Sequence, residues 1–269
     1  MLKKNETYIV FPFFEGITFP FETIYRNFKG FCYLTGVFSL SAALLVMLFG
    51  RSFACTLGIS GNGIYCLTNV WGFLLLFLLL LFMMACFINR WWLIAYNDMT
   101  FAEAVKTKIS LRDVQISYFL LIYLLMFLII GGGLYVLYTR VATPDLELEL
   151  AIFVGVSFFI LVALTVLLNA VMFACFLDGK EWRVVLKSQL SLFDNIYKLM
   201  VWFLFYLLLF AYLIRQSVSL FFSFQKVLPL WGSGLLGDFV LYFVFYFMAV
   251  CVVSLLKLQE NCIFENKTN

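Results

Sequence analysis

The hydrophobic and polar positions of this chain alternate between long stretches without a charge and short polar connections. Uncharged intervals separate Lys29 from Arg51, Arg51 from Arg90, Asp113 from Arg140, and Glu149 from Asp178. Two shorter ones run from Lys198 to Arg215 and from Asp238 to Lys257. A helix needs about 20 apolar residues to cross a hydrocarbon layer roughly 30 Å thick. Six spans are therefore predicted, near 31–50, 70–89, 115–139, 150–176, 197–218 and 237–256. Lipid offers backbone polar groups no partners, which leaves helices or closed barrels. Continuous apolar runs lack the alternation of a barrel strand, so the expected fold is an all-α membrane protein.

A repeat organises these spans. "KTKISLRD", residues 106–113, returns as "KSQLSLFD", residues 187–194, without a gap. Phe101 and Val105 correspond to Trp182 and Leu186 at the same offsets, and Asn89 to Asn169 with one gap. A fainter copy starts at "EGITFPFETIYRNFKGF", where Asn27 falls near the serine position. A fixed period is an architectural signal. The expected plan is six transmembrane helices built as three two-helix repeats, each preceded by a cytoplasmic-side amphipathic interfacial helix. One polytopic domain would fill 1–269, with units about 15–96, 97–177 and 178–258 and a short tail, 259–269.

Phe101, Val105 and Ile109 are spaced i, i+4, i+8, as are Trp182, Leu186 and Leu190, the apolar stripe of a helix lying in the membrane interface. Ser110 with Asp113, and Ser191 with Asp194, then match the Ser-x-x-acid signature of a helix start. The serine oxygen is expected to accept a backbone N–H, and the acid to face the positive end of the helix dipole. The phrase reads as a joint between an interfacial and a spanning helix.

Composition and charge agree with this plan and fix an orientation. The chain is 65% hydrophobic, 20% aromatic and 12% charged, well outside the globular range. Lys3, Lys4, Arg26, Lys29, Arg90, Lys106, Lys108, Arg112, Lys180, Arg183, Lys187, Lys198, Lys257 and Lys267 lie on one side of the predicted spans, and Arg51, Arg140, Arg215 and Lys226 on the other. The positive-inside rule places both termini in the cytoplasm. It also accounts for the net charge of +3 without a nucleic-acid partner. Thirty residues precede the first span, a start unlike a cleaved signal peptide. The expected location is a bacterial inner (plasma) membrane.

Candidate chemistry is sparse. Without histidine, Ser-His-Asp and Cys-His catalysis and the usual zinc sites fall away. Neither phosphate-loop nor dinucleotide fingerprint occurs. No catalytic residue, cofactor or metal is expected. Cys55 and Cys66 bracket the glycine-rich loop "CTLGISGNGIYC", where an oxidising compartment would permit a disulfide. Gly131, Gly132 and Gly133 suit a helix bend or close packing. Arg215 and Asp238 flank an apolar connection with the character of a re-entrant or interfacial segment, and an ion pair between them is expected there.

The first four spans hold no ionisable residue, whereas ion-coupled transporters keep such residues at mid-membrane. The leading expectation is a non-enzymatic assembly, scaffold or accessory subunit. The alternative is a permease for a lipid or other apolar compound, working with a separate ATPase. Membrane lipids, other membrane subunits and that ATPase are the expected partners.

Overall fold

The computed structural model describes residues 14–50, 70–122, 124–125 and 196–265. All regular structure among them is helical. In chain order the helices are α1 (Glu15–Arg26), α2 (Phe28–Leu45, continued by a π-helical turn over Val46–Gly50), α3 (Val70–Tyr96), α4 (Phe101–Lys106), α5 (111–122), α6 (Ile196–Gln225) and α7 (Leu230–Glu265). Four segments are long and apolar enough to cross a membrane: Phe28–Phe49, Leu74–Tyr96, Leu204–Gln225 and Gly232–Leu258. They correspond to the first, second, fifth and sixth expected spans. The third expected span begins within α5; the part of it beyond residue 125 and the whole fourth lie outside the described residues.

The core sits where α2, α3 and α7 meet. Phe31 of α2 presents its edge to Trp91 of α3 and Phe243 of α7, at centroid distances of 5.9 Å each. One level further along, Phe38 meets Phe87 at 5.6 Å, and Phe87 meets Tyr246 at 4.5 Å. Such tilted and edge-on pairs contribute about 0.5–1.5 kcal/mol each beyond area burial. Inside a membrane, van der Waals packing replaces the hydrophobic effect as the force between helices. The wholly buried Thr35, Ser39, Ala42 and Ala43 of α2 give these helices the small side chains that close approach requires.

Helix α1 lies against this bundle through one face, with Gly16, Pro20, Thr23 and Ile24 buried and Phe14 and Tyr25 exposed. Pro20 has no N–H, so the carbonyl of Gly16, four residues earlier, loses its helical partner. The Tyr206 hydroxyl of α6 donates to that carbonyl at 3.0 Å. Gly16 also leaves room for an aromatic ring, since a Cβ there would overlap the Trp202 indole. A proline, a glycine and a tyrosine thus seat α1 on α6.

Asn27 separates α1 from α2. Its backbone (φ −111°, ψ 29°) leaves helical geometry for one residue, while its backbone N–H and side-chain Nδ2 both donate to the Thr23 carbonyl at 3.2 Å. The α6–α7 connection is tighter than the sequence implies. Helix α6 continues past Arg215 to Gln225, and α7 starts at Leu230. The apolar segment expected to dip into the membrane is therefore two helix ends joined by a turn at 226–229. Pro229 accepts the Gly232 and Ser233 N–H groups at 2.9 and 3.0 Å and so starts α7. The Phe221 ring lies against Gly237, where a side chain would block it.

Candidate functional site

Helix α3 runs seven residues beyond the expected end of the second span, and this extension carries charge into the interior. Cys86, Asn89 and Arg90 fall at i, i+3 and i+4, on one helix face. That face meets the start of α5. Arg90 Nη1 donates to Asp113 Oδ1 at 2.6 Å, with the two side chains only 7% and 0% exposed. The same nitrogen donates to the Cys86 carbonyl at 3.2 Å, and Nη2 to the Thr107 carbonyl at 3.1 Å. Asn89 Nδ2 donates to Asp113 Oδ1 at 2.9 Å and to Ser110 Oγ at 3.4 Å.

Asp113 Oδ2 looks the other way and accepts the Ser110 N–H at 2.7 Å and the Ser110 hydroxyl at 3.1 Å. The acid thus reaches back to the backbone N–H of the residue that precedes α5, one half of a capping box. The serine differs from expectation, because its hydroxyl donates to the carboxylate instead of accepting a backbone N–H. Each carboxylate oxygen holds two donors, which saturates the usual lone-pair sites of the ion. A buried ion pair persists only when such additional hydrogen bonds offset its desolvation. Asn89 Oδ1 is buried with no hydrogen-bond partner among the described residues.

The Arg90–Asp113 network forms a latch between α3 and α5, and the chain between those helices has its own local geometry. Asp98 has φ 52°, a left-handed turn that lets the Met99 N–H reach back to the Leu93 carbonyl at 3.2 Å. Thr100 then caps α4: Glu103 accepts the Thr100 N–H at 2.9 Å while Thr100 Oγ1 accepts the Glu103 N–H at 3.4 Å. The Thr100 N–H, then its hydroxyl, hold the Glu103 carboxyl below its ordinary value. Helix α4 ends at Lys106, and Thr107 is extended (ψ 125°) with its carbonyl turned to Arg90. Ile109 consequently lies beyond α4, and the expected helical stripe of Phe101, Val105 and Ile109 is interrupted at Thr107.

Of the residues singled out from sequence, the structure brings Ser110 and Asp113 together. It does not join Arg215 and Asp238: Arg215 is exposed on α6, Asp238 half-buried on α7, and no ion pair between them is among those of the described residues. Cys55, Cys66, Gly131, Gly132, Gly133, Ser191 and Asp194 lie outside the described residues. Sequence reasoning missed Asn89 and Arg90 as partners of Asp113, because a contact across 23 residues has no local signature. It also missed the Thr100 box, although Thr-x-x-Glu at 100–103 follows the same rule applied to Ser110.

Among the described residues, no group of three His, Cys, Asp or Glu side chains is placed to hold a metal. A surface depression of about 440 Å³ is lined by Phe21, Glu22, Tyr25 and Arg26, all from α1. No protein-family model, curated protein or solved structure matches this chain. The chemistry of the latch therefore rests on its geometry. It can hold a corner rigid.

Proposed function

We propose that this chain is a multi-pass integral membrane protein that serves as a non-enzymatic assembly, scaffold or accessory subunit. The observation that carries this reading is the Arg90–Asp113 pair, a buried charge whose partners are all used to fix the α3–α5 corner. Charge inside a membrane protein ordinarily marks an ion path or a substrate site. Here it stabilises shape. Both termini face the cytoplasm in this reading, and the membrane is the bacterial inner membrane, on the strength of the lysine and arginine asymmetry.

Purification of the full chain in a mild detergent, with identification of co-purifying proteins and lipids, tests the proposal. Stoichiometric recovery of one membrane partner supports it. Recovery with an ATPase, and ATP-dependent movement of an apolar compound, would replace it with the permease reading. Turnover of any substrate by the isolated chain would also overturn it.

A further inference from the structure

Burial of Asp113 leaves the outer surface of the α3–α5 corner positive. The charged residues of 106–113 are Lys106, Lys108, Arg112 and Asp113. Asp113 is neutralised internally by Arg90, whereas Lys106 and Lys108 are exposed and Arg112 is half-buried. Glu103, the nearest preceding acid, is held by Thr100 and also lies one turn from Lys106, within its electrostatic reach, so it offsets only part of the charge of Lys106, Lys108 and Arg112. Around the two lysines, Val105, Ile109, Leu111 and Val114 are turned outward; Ile109 is 65% and Leu111 74% exposed.

Apolar side chains interleaved with lysines suit the boundary between acyl chains and headgroups. The apolar groups enter the acyl layer while the ammonium ends stay among the phosphates. The surface continues onto α2, where Tyr33 packs on Phe101 at 5.7 Å. Exposed Lys29 stands one turn before Tyr33 on the same face.

We propose that this corner is a docking surface for anionic phospholipid headgroups, with Lys106 and Lys108 engaging the phosphate and Ile109 and Leu111 the adjoining acyl region. Charge complementarity selects an anionic lipid over a zwitterionic one, whose own cation cancels most of the attraction. Each basic residue near a lipid surface strengthens the interaction about fivefold.

Native mass spectrometry of the full chain in mild detergent, titrated separately with phosphatidylglycerol and phosphatidylcholine, tests this. The wild-type chain is expected to bind phosphatidylglycerol more tightly. The Lys106→Gln/Lys108→Gln variant is expected to lose about 25-fold in that affinity with phosphatidylcholine binding unchanged. The Lys106→Arg/Lys108→Arg variant is expected to retain it. Equal binding of the two lipids by the wild type, or undiminished phosphatidylglycerol binding by the glutamine variant, overturns the proposal. So does displacement of phosphatidylglycerol by equimolar inorganic phosphate, which would mark a free-phosphate site.

Discussion

Arg90 and Asp113 behave at the residue scale as one unit, and their mutants should show it. Removing either partner strands the other charge in a dry interior, at a cost of about 3–5 kcal/mol. Replacing both with apolar side chains of similar size, as in Arg90→Met/Asp113→Leu, leaves no charge unpaired but takes the acceptor from Asn89 Nδ2 and the Ser110 N–H, and should cost less than either single change. Thermal denaturation in detergent of the two single alanine variants and this double variant is the check. Single variants as stable as wild type would show that the pair is not buried as described. Gly16 offers a steric counterpart. Gly16→Ala places a methyl group within the Trp202 ring, and overpacking of this kind costs about 1–3 kcal/mol. Adding Trp202→Leu should recover part of the loss, and no recovery would show that the clash lies elsewhere.

Helix ends, at the scale of the element, are set by groups that hydropathy does not weigh. The apolar cores of α2, α3, α6 and α7 were legible because lipid length and absence of charge are local properties. Their limits were less so. Arg90 looked like the end of a span, yet α3 passes through it because Asp113 supplies the missing counter-charge. Arg215 likewise suggested a boundary, yet α6 carries it on an exposed face for ten further residues. The Ser110–Asp113 joint was legible from its spacing, but Asn89 and Arg90 were not, since only folding brings them there.

Pro20 shows the same dependence on tertiary contact. Tyr206→Phe removes the donor to the Gly16 carbonyl and should cost about 1–2 kcal/mol, whereas in a Pro20→Ala background the restored N–H serves that carbonyl. The two substitutions should therefore be strongly non-additive in a thermal double-mutant cycle, and additivity would sink the idea. The α4 cap is sensitive to acid. Glu103 is held below its ordinary value of 4.5 by Thr100, so the cap's contribution is complete above that value and fades as pH falls through the lower folded value. The protection of the α4 amides, taken as their exchange rate relative to that of an unfolded amide at the same pH, should fall across that acid window in the wild type, with no such step in Glu103→Gln.

For the whole molecule, the described helices give the bundle two unlike ends. One gathers the α1–α2 hinge, the latch, α4 and the exit of α7, where Lys257 lies 5.5 Å from the Trp92 ring and 5.8 Å from that of Tyr96. Aromatic rings beside cations are characteristic of a membrane–water interface. The other end is the turn at 226–229, with Lys226 exposed. Because α6 and α7 are antiparallel and join there, Lys226 and Lys106 should face opposite compartments whichever way the protein inserts. The orientation proposed from the lysine and arginine asymmetry puts Lys106 inside. Single cysteines at these two positions, in a chain whose native cysteines are replaced, separate the alternatives. With a membrane-impermeant thiol reagent on intact cells, Lys226→Cys should label directly and Lys106→Cys only after permeabilisation. The opposite pattern would invert the assigned orientation while leaving the bundle intact, whereas labelling of both from one side would contradict the helical hairpin itself.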